Sequence, residues 1–474
     1  MSRVPRPTLA GVRLPSRKVM AVLVAVFLGF GVLIGRAARD SVQQAALADE
    51  RAPVKVVVTP TPTATAGQSA SSEEAPPAEE ASTPEPAPNP AQAATNPHRP
   101  ASSTTPTPAP KPKPAPAKER KTLPAIRHVF LIVLSDEPYA AVFGPESKAH
   151  YLAAQLEPKG ALLSSYDAIS HEQLPDEIAL VSGQGPTPQT AADCPSYAPL
   201  EPGNMGADGQ ALGAGCVYPA SVATLPGELE QRHLRWRAYL EGVGEGSSPT
   251  PPCSHPVLGQ PDPTTPPAGA SVAAGSTGPY ATYRDPFAYF QSLTGSGACA
   301  RSETGMDELK PDLASAAKTP SLSYIVPGLC HDAAPTPCAP GAPSGPSDVN
   351  SFLQRVVPEI LASGAYKQNG LLVITTDEAP SSGEFEDSSS CCGQPRFPNL
   401  GAASVGITGR PLGGGAVGAL LLSPFIKGHE SSQEQYDHFS LLATIEDLFG
   451  VKRLGYAGLS GVTPLAPSIF NAGQ

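Results

Sequence analysis

Residues 413–450 read GGGAVGALLLSPFIKGHESSQEQYDHFSLLATIEDLFG. Within them, residues 416–422 are a short, continuous apolar run, the pattern of a strand buried on both faces. Ser423-Pro424 ends the run and a polar loop follows, closing in Tyr436-Asp437-His438. From Phe439 the apolar residues recur as Leu441, Leu442, Ile445, Leu448 and Phe449, which is helical spacing, and Gly450 stops the helix. Asp437 and His438 therefore fall where the loop after a strand enters a helix. Ligand sites of open α/β sheets concentrate at such places. The simpler local reading makes Asp437 an N-cap and His438 only a first-turn residue.

Working outward, the same strand pattern recurs at 128–134 (HVFLIVL), 161–169, 322–326 and 371–376. Residues 225–239 read as a helix followed by a short strand ending Trp236-Arg237-Ala238-Tyr239, with Glu241 just beyond. Trp236 is expected in the core, as most single aromatics are. Residues 348–361 have the spacing of an amphipathic helix. Strands alternating with helices imply an α/β class with a largely parallel sheet.

The chain has 474 residues and 58 prolines, many of them before position 125. Roughly 350 residues remain, ample for one large domain. The net charge of −11 argues against a nucleic-acid partner, which normally needs a basic face. Residues 1–18 are a short basic segment carrying Arg3, Arg6, Arg13, Arg17 and Lys18. Residues 19–35 are uncharged and mostly apolar, at the short end for a membrane span. The stronger basic side precedes the span, so the N-terminus is expected inside and the remainder outside, a single-pass protein of the cell membrane with an extracytoplasmic domain. The rival is a cleaved signal peptide, for which Ala46-Leu47-Ala48 has the small-residue pattern but lies far from the apolar run. Residues 36–124, rich in Pro, Thr, Ala and Ser, are expected to be a disordered linker, extended and partly polyproline II, that lifts the domain at 125–474 off the membrane.

All eight cysteines lie after the linker. An even number in one compartment suggests disulfides and an oxidising location, and their spacings do not match a zinc site. Sequence does not fix connectivity. Local pairs are expected: Cys194–Cys216, Cys253–Cys299 and Cys330–Cys338, with Cys391 and Cys392 bridged to each other or paired elsewhere.

The Gly-rich turn, the apolar strand closing in Ser-Pro, Tyr436-Asp437-His438 with Ser440-Leu441-Leu442, and Thr444-Ile445-Glu446-Asp447 together resemble the C-terminal signature of the bacterial phosphoesterase family. That family includes acid phosphatases and non-specific phospholipases C and belongs to the alkaline phosphatase superfamily. The resemblance extends over about 128–457. It implies an alkaline-phosphatase-like fold: a doubly wound, mostly parallel sheet with helices on both faces and a site at the C-terminal strand ends. It also implies hydrolysis of phosphate mono- or diesters, possible phospholipid-like substrates, and a divalent metal. By this resemblance His438 binds the metal, as do Asp377 and Glu378, which match the family's Thr-Trp-Asp-Glu. Two adjacent acids at a central strand's end suit a hard cation.

Elsewhere the chain departs from the family pattern. After the first strand the family reads Met-Glu-Asn-His-Ser-Tyr, where Glu and Asn hold metal. Here Ser135 and Asp136 stand at those places, so Asp136 is the remaining candidate ligand. At 170–176 the family reads Thr-His-Pro-Ser-Leu-Pro-Asn, its Ser being the nucleophile at the mouth of a helix. This chain has Gln173 there and Asp176 for the Asn. An amide cannot form the covalent phosphoryl intermediate. Ser170 would need a different backbone path, and His171, which keeps the family's residue, could in principle accept the phosphoryl group. Arg284 replaces the family's His in Tyr283-Arg284-Asp285-Pro286-Phe287, and Pro327-Gly328-Leu329-Cys330-His331-Asp332 keeps only half of another motif. The acidic, Ser-rich segment 381–393 is expected to be an exposed loop. Together these imply a phosphoesterase-like protein with its nucleophile lost. The alternatives are a binding or envelope-interaction module on the same fold and a hydrolase using metal-activated water.

Overall fold

A computed structural model describes residues 122–245, 249–265, 279–334, 344–382, 386–405 and 412–470. The basic segment, the apolar run at 19–35 and nearly all of the linker lie outside these residues. Among the described residues no helix is long and apolar enough to cross a membrane.

Twelve strands are described: β1 His128–Leu134, β2 Ala161–Leu163, β3 Tyr166–Asp167, β4 Glu201–Met205, β5 Ala211–Ala214, β6 Trp236–Leu240, β7 Glu303–Thr304, β8 Leu322–Val326, β9 Gly370–Thr376, β10 Ala419–Leu422, β11 Glu430–Ser432 and β12 Tyr436–Asp437. Eight of them form one sheet in the order β11-β2-β10-β9-β1-β8-β6-β7. β9, β1, β8, β6 and β7 run parallel, as β11 does to β2. β10 runs against both of its neighbours, β9 and β2. The fold is thus the α/β, mostly parallel, alkaline-phosphatase-like sheet that the sequence implies.

Three helices matter for the site: α1 Gln173–Ser182, α2 Val349–Ala362 and α3 His438–Phe449. All seven residues of β1 are buried. Side chains alternate across a strand, so Val129, Leu131 and Val133 join the core on the α1 and α3 face. Phe130, Ile132 and Leu134 join a second core with Phe352, Leu353 and Val357 of α2. A strand covered on both faces has no polar side to display, which is why its sequence is continuously apolar.

Two details differ from the sequence reading. The expected strand at 161–169 is broken into β2 and β3. More consequentially, β10 is antiparallel, so its C-terminal end lies at the far rim: Ser423 Oγ donates to the carbonyl of Gly370, at the start of β9. The loop after β10 therefore leaves from the opposite side, and the chain returns through β11 and β12 to reach His438. The part of this stretch at the site edge is the Gly-rich turn before β10. There the Ala379 N–H donates to the Gly414 carbonyl at 2.7 Å, and the Gly414 N–H donates to Ala168 at 3.1 Å.

The disulfides Cys194–Cys216, Cys253–Cys299 and Cys391–Cys392 are present. Cys338, the expected partner of Cys330, lies outside the described residues. Trp236 is buried against Phe287.

A Cβ at position 414 would overlap the Ser170 carbonyl and press on Ala168. Gly414→Ala is expected to cost about 1–3 kcal/mol, read as a thermal midpoint lower by several degrees. An unchanged midpoint would mean that the turn is not packed as described.

Candidate functional site

Because β1, β8 and β9 are parallel, their C-terminal ends deliver Ser135-Asp136, Asp332 and Asp377-Glu378 to one edge. The ends are tied together: Ser135 N–H donates to the Asp332 carbonyl at 2.7 Å and Asp377 N–H to the Leu134 carbonyl at 2.9 Å. The Asp136 N–H donates to Asp377 Oδ1 at 2.9 Å. Asp136 takes a left-handed backbone, φ 48°, a conformation that non-glycine residues hold only when their surroundings enforce it. Glu172, before α1, has φ 134°. Its N–H donates to Glu378 Oε2.

Gln173 opens α1 and is buried. Its amide donates to Ser135 Oγ and accepts from Arg284 Nη1 at 3.2 Å. Arg284 is fully buried and pairs with Asp332 at 2.8 Å. The Arg284 Nη2 lies 3.5 Å from the Val133 carbonyl. Positions 173 and 284, two of the departures read from the sequence, are therefore in contact.

His438 is fully buried, and Asp437 caps α3, accepting the Ser440 N–H at 2.7 Å. The N-cap reading of Asp437 thus describes its local role. His438 Nε2 faces the Asp377 carbonyl at 2.9 Å and Asp176 Oδ1 at 3.3 Å. A carbonyl only accepts, so Nε2 carries the proton and Nδ1 accepts from the Tyr166 hydroxyl at 2.8 Å. Burial pushes its pKa down to about 4. Both ring nitrogens of His438 are thus hydrogen-bonded inside the protein.

The acids form a crowded floor. Burial, then Glu172 and Asp332, raise Asp136 to about 7. Burial raises Glu177 to about 7 against the pull of Arg284. Asp176, Asp377 and Glu378 are pushed well above the carboxylate range by burial, with like charges adding to it. Asp377 Oδ2, Asp176 Oδ2 and Glu177 Oε1 are buried without a hydrogen-bond partner. Even so, among the described residues the groups of three or more such side chains within 4.8 Å of one another are Cys253–Cys299–Glu303 and Cys391–Cys392–Asp437, and each contains a disulfide whose sulfurs are not free thiolates. The expected set Asp136, Asp377, Glu378 and His438 is not among them.

His171 stands before α1, with Nδ1 3.0 Å from the Ala379 carbonyl and Nε2 2.8 Å from Ser388 Oγ. Sequence reading passed over Ser388, Tyr166 and the Arg284–Asp332 pair. Arg284 was visible as a departure from the family, but its partner lies 48 positions away and no local pattern joins them.

The family model for the Phosphoesterase family matches residues 128–452, more than half of the chain. The chain belongs to that family. No curated protein matches it. Among solved structures it is similar to a phosphonate monoester hydrolase from Silicibacter pomeroyi, at 10% identity and a TM-score of 0.39, covering 73% of this chain and 77% of that one. It is also similar to an alkaline phosphatase superfamily protein from Vibrio parahaemolyticus, at 11% identity and a TM-score of 0.38, covering 73% and 72%. The lipoteichoic acid synthase LtaP from Listeria monocytogenes matches at 10% identity and 0.36, covering 71% and 76%.

Removing one partner of a buried ion pair strands the other charge, at a cost of about 3–5 kcal/mol. Arg284→Met is expected to show a loss of that size in denaturant unfolding, and Arg284→Met with Asp332→Leu to recover a large part of it. Purely additive losses would show that the two side chains are not coupled.

Proposed function

We propose that this protein keeps the phosphoesterase fold but has lost the family's phosphoryl transfer, and serves as a membrane-anchored extracytoplasmic binding module of the cell envelope. The reading rests on one observation: the Gln173 amide fills the mouth of α1 between Ser135 Oγ and Arg284. Covalent phosphoryl transfer needs an oxygen nucleophile there, and an amide side chain supplies none. Arg284 also brings a permanent positive charge into the acid-rich floor, where the family resemblance implies a metal ion. The family relation supports ester-type ligands, phosphate esters or phospholipid-like headgroups of the acid phosphatase and phospholipase C kind.

A second reading, a hydrolase using metal-activated water, is favoured by the orphaned oxygens. Asp377 Oδ2, Asp176 Oδ2 and Glu177 Oε1 have no protein partner, and an all-carboxylate set suits a hard divalent cation. Asp377, whose Oδ2 is one of those oxygens, would hold it together with Asp136 and Glu378. When bound, such an ion lowers the pKa of a coordinated water and polarises a phosphoryl oxygen.

The purified protein is expected to release little or nothing from p-nitrophenyl phosphate or bis(p-nitrophenyl) phosphate with magnesium, calcium, manganese or zinc added in turn. Gln173→Ser with Ser135→Glu should raise the rate above that background. Strong wild-type turnover that Asp377→Asn abolishes would replace the first reading with the second. For the topology, protease added to intact cells should cut the Pro-rich linker and release the domain; complete protection would reverse the proposed orientation.

A further inference from the structure

In the segment between β9 and β10, Ser388 meets the side chain of His171. Ser388 Oγ lies 2.8 Å from His171 Nε2, and His171 Nδ1 lies 3.0 Å from the Ala379 carbonyl. A carbonyl oxygen only accepts, so Nδ1 carries the proton. In the neutral ring Nε2 is then the acceptor, and the Ser388 O–H donates to it. A hydroxyl, a base within hydrogen-bond reach and a third group fixing the base's tautomer are the parts of an activated nucleophile.

The stretch around Ser388 is held in place. Asp387 N–H donates to the Pro380 carbonyl at 3.2 Å and Gly413 N–H to the Ser388 carbonyl at 3.3 Å. The Asp387 carboxylate accepts from Ala416 N–H and Ser389 N–H, each at 2.9 Å. Ser388 and His171 are both half-buried, so a small substrate can reach them from solvent. Asp387 and Glu172 flank the pair in sequence, and their charges would repel an anionic phosphate ester.

We propose that Ser388 and His171 are a nucleophile and general base that cleave a small carboxylic ester bearing no negative charge. Ser388 Oγ attacks the carbonyl carbon while its proton passes to His171 Nε2. The C–O bond to the leaving group breaks, and the departing alkoxide takes that proton and leaves as an alcohol, with the acyl group on Ser388. Water then gives a proton to His171 and attacks the acyl carbon, and the acid departs as Ser388 recovers its proton. Unlike the family's reaction, this one has its nucleophile on a loop rather than at position 173. It draws on no metal, so it stands apart from either reading of the α1 mouth.

The test uses the full-length protein, a neutral alkyl fluorophosphonate and a metal chelator, with the adduct mapped by peptide mass spectrometry. The adduct is expected on Ser388. It should be absent in Ser388→Ala and form at least about 100-fold more slowly in His171→Gln, since a positioned base contributes on the order of 10²–10⁴. Thermal midpoints of the variants, matched to wild type, separate chemistry from unfolding. No adduct on folded wild type, an adduct on another serine, or equal rates with and without His171 would each overturn the proposal. Because the chelator is present throughout, failure here leaves the phosphate-release result untouched.

Discussion

A guanidinium sealed beneath the sheet's C-terminal edge sets the terms for everything around it. Arg284 cannot shed its charge, and an isolated buried charge is prohibitively costly. It must therefore hold its neighbours in place. Asp332 answers it at 2.8 Å, and the backbone of Asp332 in turn takes the Ser135 N–H, so the end of β1 is tied to the ion pair. The Gln173 amide is aligned by what remains, its oxygen toward the arginine and its nitrogen toward Ser135. With Asp377 and Glu177 also close enough to act on it electrostatically, Arg284 offsets part of the carboxylate excess from within the protein.

The acid-rich floor explains why the site is built on backbone as much as on side chains. Each buried carboxylate needs donors, and the nearest are main-chain N–H groups at strand ends and at the mouth of α1. Asp176 takes the Ile169 N–H at 2.7 Å and Asp193 takes the Leu174 N–H at 2.9 Å. The unusual torsions at Asp136 and Glu172 aim their N–H groups at Asp377 and Glu378. Local strain of this kind persists only where the surroundings over-determine it.

What the sequence disclosed follows the range of the forces involved. β1, β8, β9 and α2 were legible nearly to their ends, because burial on both faces or on one helical face writes itself into consecutive residues. The direction of β10 was not legible. A four-residue run of alanine and leucines suits a parallel or an antiparallel neighbour equally, and the choice is made by β2 and β9, far away in the chain. The family resemblance identified 135, 136, 171, 173, 377, 378 and 438 as the places to examine, and most of them do meet at one edge. It could not disclose that His438 spends both nitrogens on Tyr166, Asp176 and the Asp377 carbonyl, since those contacts span 61 to 272 positions. Ser388 was hidden in a stretch that composition marks only as exposed.

The reversed course of β10 also divides the labour of the C-terminal region. Residues 413–415 reach the site edge travelling one way, and His438 reaches it travelling the other. Between them the chain rounds the far rim, where Pro424 and His429 are exposed. β11 and β12 then re-anchor it by parallel pairing with β2 and β3. Changes of length on that rim are absorbed before the chain is fixed again. The rim is thus a place where a reporter can be grafted without transmitting a shift to the opposite edge.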